Sequence, residues 1–208
     1  MADKRPFSLL IDELPRHIYI QDGTIEIDIK TDTLTALQCL SMLDTDDVPD
    51  SIKVSCVIET ILAEGEEITP DLYIDAFSSI LEYLKGYPVE GTSRSREPIF
   101  SYSQDHAYIV AAFRQAYGMS LEDIQKTHWW EFQALLTGLP EDTRLSQIMR
   151  IRSMEIDPKA SPAEKLRIQK AKSLLRIKRK RRKGETGYDV ISRGLIEGDK
   201  LSYGRRNK

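Results

Sequence analysis

The histidines and cysteines are the residues of this chain with the most versatile chemistry, because imidazole and thiolate groups serve in both catalysis and metal binding. His17, His106 and His128 fall in three separate predicted elements, and none has a cysteine or an acid at ligand spacing. Cys39 and Cys56 each lie on an apolar helical pattern, which indicates buried thiols rather than a disulfide or a metal site. The sequence therefore predicts no catalytic residue and no metal site among these five.

A run of acidic residues is the other possible cation site. It consists of Asp44, Asp46, Asp47 and Asp50, which resemble a calcium-binding loop in charge alone. The glycine and the terminal glutamate of such a loop are missing, so we expect a solvated acidic loop. The chain also lacks a glycine-rich phosphate loop, a nucleophile elbow and a metalloprotease motif. We therefore expect no enzymatic activity and no cofactor.

Two adjacent tryptophans lie in the most aromatic stretch of the chain, 127–156. At helical period, Trp129 shares one face with Phe132 and Leu136. Trp130 lies about 100° around the helix, beside the small residue Ala134. The two indoles therefore serve different surfaces. We expect Trp129 to lie in the core and Trp130 to dock a partner, although core positions for both are an open alternative.

The same stretch contains the signals for a helical hairpin. Gly138 and Pro140 end the first helix, Asp142 is a plausible N-cap, and Leu145 and Ile148 begin a second apolar stripe. The candidate partner-binding residues of this hairpin are Trp130, Trp129, Phe132, Met149 and Met154.

Charge is distributed unevenly along the 208 residues, whose net charge is −3. Residues 1–157 carry 13 basic and 28 acidic residues, whereas residues 158–208 carry 17 basic and 5 acidic residues. The split indicates either self-association of the two halves or a separate partner for each. The basic patch consists of Arg176, Lys178, Arg179, Lys180, Arg181, Arg182 and Lys183.

Three interpretations of the basic patch remain. The first is a solvated helix end, since cations are favoured near the negative helix terminus. The second is contact with an acidic protein surface, including this protein's own body. The third is binding to nucleic acid phosphates. Because no aromatic residue interleaves with the basic ones, a base-stacking platform is not indicated. Of these interpretations, we favour contact of the basic patch with an acidic protein surface over binding to nucleic acid.

The elements that must position these residues are mostly helices. The segment 17–29 alternates isoleucines on both sides of Asp22-Gly23, which predicts a β-hairpin. Thr31 or Asp32 can cap the first helix, and helices around 54–62 and 73–84 follow. The fold class is therefore mainly α, with one N-terminal β-hairpin packed on the first helices and about seven helices.

The domain boundaries follow composition. We predict an acidic N-terminal domain over 1–87, a linker over 88–98, a helical Trp-Trp domain over 99–157, a basic helix over 158–183 and a flexible tail over 184–208. The linker could instead be a long surface loop within one domain. Ser103 is the predicted cap of the helix ending at Gly118, and Ser161-Pro162 starts the basic helix. No run reaches the length of a membrane span, and no signal peptide is recognisable, so we expect a cytosolic protein.

The middle of the chain resembles the bacteriophage "gene product 15" family of long-tailed phages and prophages. The resemblance is strong over 98–157 and looser over the N-terminal hairpin and acidic helices. It rests on the joined pattern of Tyr117-Gly118, His128-Trp129-Trp130 with Phe132, Gly138 to Thr143 as Gly-Leu-Pro-Glu-Asp-Thr, and Arg152-Ser153-Met154.

The resemblance implies a role in building the phage tail. Genes of this family lie between those for the major tail protein and the tape-measure protein, where tail assembly chaperones are encoded. It therefore implies a chaperone that binds the tape-measure protein, the major tail protein, or both, in the cytoplasm of the bacterial host. A structural component of the tail and a nucleic-acid-binding regulatory protein are the alternatives. The family defines no catalytic residues.

Overall fold

The computed structural model describes residues 7–45, 48–86 and 99–178. These residues form two strands, β1 (His17–Ile20) and β2 (Ile25–Asp28), and a short 3-10 helix at Pro70–Leu72. Eight α-helices complete the described part: α1 (Thr33–Leu43), α2 (Asp50–Ile61), α3 (Tyr73–Lys85), α4 (His106–Tyr117), α5 (Leu121–Lys126), α6 (Trp129–Thr137), α7 (Arg144–Ser153) and α8 (Pro162–Leu174). The prediction of a mainly α fold with one N-terminal β-hairpin is confirmed.

The chain divides into two compact units. Unit 1 combines Met1–Gly91 with Met119–Gly138, and unit 2 combines Thr92–Gly118 with Leu139–Lys208. Unit 1 thus holds the hairpin, α1 to α3, α5 and α6, whereas unit 2 holds α4, α7 and α8. This division differs from the boundaries read from the sequence, because α6 packs against α1 while α7 packs against α4. The predicted linker over 88–98 and the tail over 184–208 lie outside the described residues.

The β-hairpin forms where the isoleucines alternate. Its strands pair antiparallel, with Ile20 opposite Ile25 next to the turn. Gln21, Asp22 and Gly23 all have positive φ, at 50°, 53° and 88°. Since aspartate and glycine tolerate this region better than most residues, the turn sequence suits the tight reversal. The hairpin's β1 packs against α3, which gives the two-stranded sheet the support it needs.

Local signals set most helix ends of unit 1. Asp32 accepts a hydrogen bond from Thr35 N at 2.9 Å and caps α1. Pro70 starts the 3-10 helix ahead of α3, while Thr69 makes no side-chain cap bond. A capping box of Ser120 and Asp123 opens α5, which was not among the helices predicted from the sequence.

The core of unit 1 is built from the apolar stripes that the sequence predicted. The buried residues of α2 and α3 are those at helical spacing, so packing of these stripes stabilises the unit. The largest fully buried side chains of unit 1 are Trp129, Phe132, Ile20, Leu40, Leu43, Ile58, Ile61, Ile80 and Leu84.

Unit 2 corrects two predicted caps. Asp105, not Ser103, occupies the N-cap position of α4, and its side chain makes no cap hydrogen bond because it is used elsewhere. Thr143, not Asp142, caps α7 by accepting from Ser146 N. At both helix starts, several neighbouring residues are of a type that can cap a helix. The hydrogen-bond partners of their side chains determine which of them occupies the N-cap position.

The start of the basic helix is confirmed, and its end differs from the prediction. Ser161 accepts from Glu164 N and Pro162 begins α8, as the sequence indicated. The helix ends at Leu174, so Arg176 and Lys178 lie beyond it in irregular backbone. The rest of the basic patch, 179–183, lies outside the described residues.

Candidate protein-interaction site

The start of α6 is tied to the start of α1 by hydrogen bonds within unit 1. Trp129 N donates to Thr31 O at 2.7 Å, and Thr33 N donates to Thr127 O at 2.8 Å. The Thr33 hydroxyl donates to the same Thr127 carbonyl at 2.8 Å. Because these bonds fix the chain on both sides of His128, they set the directions in which the two indoles leave α6.

His128 caps α6 with its imidazole ring. Trp130 N donates to Nδ1 of His128 at 3.1 Å, and Nε2 of the ring lies 3.0 Å from Pro15 O. A ring that accepts at Nδ1 and donates at Nε2 is the neutral tautomer. Burial lowers the pKa of His128, with the Pro15 carbonyl opposing that change. The environment therefore favours the form that caps the helix.

Trp129 lies in the core of unit 1, as predicted. Its side chain is fully buried, and its ring stacks on Phe132 with centroids 5.6 Å apart and planes at 16°. Its indole N–H donates to Leu84 O at 2.9 Å. The sequence proposed both Trp129 and Phe132 as partner contacts. The structure instead buries both side chains within unit 1.

Trp130 is half-buried and also contributes to unit 1. Its indole N–H donates to Tyr83 O at 2.9 Å, and its ring stacks on Tyr83 at a centroid distance of 6.2 Å. The Phe7 ring meets Trp130 edge-on at 5.0 Å and 87°. The structure thus places Trp130 at the rim of the core, with part of the ring accessible, rather than on a fully separate surface.

The two indoles together complete the C-terminal end of α3. The last carbonyls of a helix have no partner within the helix. The carbonyl of Tyr83 accepts from Gly86 N at 3.0 Å and also from Trp130, and that of Leu84 accepts from Trp129 and from Gln133 Nε2 at 3.4 Å. Adjacent positions on α6 can reach consecutive carbonyls of α3, and this explains why both residues are tryptophans with a donor at the ring edge.

The remaining candidates from the sequence lie in unit 2. Met149 is half-buried on α7, and Met154, just past the end of α7, is 37% exposed. Arg176 and Lys178 are exposed. Among the described residues, the tryptophans therefore lie in unit 1, whereas the methionines, Arg176 and Lys178 lie in unit 2.

Arg152 organises unit 2, and sequence reasoning missed it. Its guanidinium lies 2.5 Å and 3.0 Å from the two carboxylate oxygens of Asp105, and the pair is nearly buried. It also donates to Ile99 O at 3.1 Å and to Leu175 O at 2.7 Å. One side chain on α7 therefore joins the segment before α4 to the residue that ends α8. The basic spacing on α7 gave no signal for this role.

Gln104 fixes the beginning of the basic patch. Its side-chain amide donates to Lys178 O at 3.0 Å and accepts from Lys178 N at 2.9 Å. Ile177, the apolar residue within the patch, is buried. The described start of the patch, 176–178, is therefore anchored to the segment that precedes α4.

The side chains whose chemistry could serve catalysis or metal binding lie in surroundings that suit a structural role. Among the described residues, no group of histidine, cysteine, aspartate or glutamate side chains could hold a metal ion. Cys39 is buried and Cys56 half-buried, and both are free thiols. Burial raises the pKa of Cys39 to about 12, which disfavours its reactive thiolate. None of the helices in the described part of the chain is long and apolar enough to cross a membrane.

Comparisons with known proteins agree with the tail-protein resemblance at the level of the family. Searches of the curated proteins and of the solved structures found no match. The family described as Bacteriophage Gp15 protein matches residues 10–177 and so spans both units. This match associates the chain with phage structural or assembly-related proteins. The chain belongs to the Bacteriophage Gp15 protein family.

Proposed function

We propose that this protein is a tail assembly chaperone that binds the tape-measure protein, the major tail protein, or both. It acts by non-catalytic binding in the cytoplasm of the bacterial host. The observation that carries the proposal is membership of the phage family across residues 10–177, which includes nearly all of the described structure.

The distribution of apolar surface supports a binding role. Several large apolar side chains remain exposed, and we propose that some of them contact the apolar face of a partner helix. In unit 1 they are Leu10, Ile11, Tyr19, Leu34, Ile52, Ile74 and Leu121. In unit 2 they are Tyr108, Tyr117, Met154, Leu166 and Leu174.

The tryptophan cluster supports a docking role for the accessible part of Trp130. Its hydrogen bond to Tyr83 O and its stack on Tyr83 fix the ring in one orientation. A ring held in this way loses little side-chain entropy when it contacts a partner. The partner would meet Trp130 beside Phe7, whose ring already packs against it.

The test is capture of phage tail proteins by the full chain. The tagged protein is co-expressed with the tape-measure protein of the same phage, and separately with the major tail protein, and the complexes are purified. We expect at least one stable complex. Capture of neither protein would overturn the proposal, and stoichiometric presence of this protein in purified particles would identify a structural component instead.

A pair of variants separates docking by Trp130 from its structural role. Trp130→Ala removes the ring, whereas Trp130→Phe keeps a smaller aromatic ring and removes the N–H donor. We expect Trp130→Ala to weaken capture at a temperature well below its melting point, and Trp130→Phe to retain most of it. Equal capture by wild type and both variants would show that the partner does not contact this residue.

A further inference from the structure

The outward face of α8 carries apolar and basic side chains. Leu166, Arg167, Lys170 and Leu174 lie on one side of the helix, at positions i, i+1, i+4 and i+8. All four are exposed, with Leu166 at 53% and Leu174 at 84%. Within the described residues, neither Arg167 nor Lys170 has an ion-pair partner. The helix buries no residue at all, so this face is available for contact.

The outward face of α3 has the same spacing and the opposite charge. Ile74, Asp75, Ser78 and Glu82 also lie at i, i+1, i+4 and i+8, and all are exposed, with Ile74 at 83%. Asp71, in the preceding 3-10 helix, extends the acidic stripe. Asp75 accepts from Gln21 N, and Glu82 pairs with Lys85, but both carboxylates remain at the surface.

The charge of each unit matches its own stripe. The described residues of unit 1 include 18 acidic and 5 basic residues, a net charge of −13. Those of unit 2 include 11 basic and 6 acidic residues, a net charge of +5. Opposite potentials attract over about 10 Å in dilute salt, so the stripes lie on surfaces that steer two molecules together.

We propose that the protein self-associates head to tail, through the basic outward face of α8 on one copy and the acidic outward face of α3 on a second copy. The exposed apolar side chains of the two faces, Leu166 and Leu174 on α8 and Ile74 on α3, lose exposed surface in the contact. Each copy keeps one free face of either kind, so the association is heterologous and adds further copies unless it closes into a ring. This inference does not depend on the proposed chaperone function.

The contact is small, so the association is weak and strongly dependent on salt. A helix of 13 residues is about 20 Å long. Two such faces bury less surface than a standard protein interface, which places the dissociation constant in the range of about 10 μM to 1 mM. Sedimentation velocity of the full chain, from about 10 μM to 1 mM, covers this range.

The first experiment measures self-association of the wild type at low and at high salt. We expect the weight-average sedimentation coefficient to rise with concentration at about 50 mM NaCl and the dissociation constant to weaken about tenfold or more at 500 mM NaCl. Nuclease-treated protein must behave in the same way. A monomer at every concentration, or association that nuclease abolishes, would overturn the proposal.

The second experiment exchanges charge between the two faces. The α8 variant carries Arg167→Glu and Lys170→Glu, and the α3 variant carries Asp71→Lys and Glu82→Lys. Each variant alone presents two faces of the same charge and is expected to stay monomeric. Mixed together, they present complementary faces, and we expect a mixed complex close to wild type in affinity.

Circular dichroism and melting curves check that each variant is folded, since all four substituted residues are exposed. Self-association by either variant alone would overturn the assignment of the faces, and so would a mixture that stays monomeric while both variants are folded. Leu174→Glu provides a third check, since it places an acidic, polar side chain on the basic face. It is expected to weaken the wild-type association about tenfold or more.

Discussion

The helices α3 and α8 have the same length and opposite relations to the core. Each spans 13 residues, and a proline lies at or near its start. Six residues of α3 are buried, whereas α8 buries none. Helices of this length gain most of their stability from a packed apolar face, and α8 lacks one. Contacts other than a buried apolar face must therefore hold α8 in its helical state.

Side-chain hydrogen bonds hold the C-terminal ends of both helices. The final carbonyls of α3 accept from the indole N–H groups of Trp129 and Trp130. The carbonyl of Leu175, which ends α8, accepts from the guanidinium of Arg152. In both units a neighbouring helix supplies side-chain donors to carbonyls at the end of the helix. Packing supports α3 in addition, whereas α8 depends on polar anchors and on the half-buried side of the helix.

The largest expected effect is loss of the Trp129 side chain. Trp129→Ala empties a fully buried aromatic site and leaves the Leu84 carbonyl without its indole donor. We expect the free energy of unfolding to fall by about 3–5 kcal/mol. Urea unfolding monitored by circular dichroism measures this.

Trp129→Phe is the matched control, because it keeps an aromatic ring in the stack on Phe132 and removes the N–H donor. It should cost less than the alanine variant. If the alanine variant unfolded with nearly wild-type stability, the core placement of Trp129 would be wrong.

The second largest effect is expected in unit 2, at the ion pair between Arg152 and Asp105. Arg152→Met leaves the nearly buried carboxylate of Asp105 unpaired and removes the donor to Leu175 O. Breaking such a pair from one side costs about 2–4 kcal/mol once partial exposure is allowed for. Urea unfolding again gives the free energy.

The double variant Arg152→Met with Asp105→Asn tests the cause, since it removes the stranded charge as well. We expect the double variant to recover part of the loss. A double variant less stable than either single one would contradict this account of the pair.

These anchors also mark the limit of what the sequence could reveal. The hairpin, the Asp32 cap, the apolar stripes and the core position of Trp129 depend on residues within a few positions of one another. The bonds from Trp129 and Trp130 to α3 span 45 and 47 residues, and the bond from Arg152 to Asp105 spans 47. Periodicity along one element carries no information about such distant partners.

The misplaced start of α4 has a related cause. Ser101, Ser103 and Asp105 are all capping-type residues within five positions, so local preference could not choose among them. Asp105 accepts from Ser101 N as well as from Arg152, and these contacts decide where the helix begins. The start of α5, in contrast, has a local signal in Ser120 and Asp123, which form a capping box, and this helix was missed from the sequence.

A third and smaller effect is expected at the residue that ends α3. Gly86 has φ 86° and ψ −172°, a conformation that is open almost only to glycine, and an added Cβ would overlap the Gln133 side chain. Gly86→Ala should lower the free energy of unfolding by about 1–3 kcal/mol.

The same substitution in a Gln133→Ala background separates the two causes. The overlap is then gone and the backbone strain remains, so the cost should be smaller and still measurable. An equal cost in both backgrounds would assign the whole effect to the backbone, and no cost in either would contradict the conformation of Gly86.

The smallest expected effect is a pH dependence of stability that is confined to the C-terminal end of α3 in unit 1. His128 caps the helix that carries the two indoles, and burial lowers its pKa below the ordinary value near 6.5. Between the folded and the unfolded pKa the unfolded chain binds more protons, so stability from the neutral ring is fully present above about pH 6.5 and is lost as pH falls through the folded pKa. The end of α8 in unit 2 is held by Arg152 and not by a histidine.

The measurement is the free energy of unfolding between pH 7.5 and 5.5 for wild type and for His128→Asn, together with amide hydrogen exchange. Asparagine can cap a helix and does not titrate, so His128→Asn should show a shallower decline in stability as the pH falls. In the wild type, protection of the Trp130 and Gly86 amides, which bond at this end of unit 1, should decrease with pH while that of the Lys178 amide in unit 2 does not. Parallel pH profiles for the two proteins would show that His128 does not couple protonation to the α3 end.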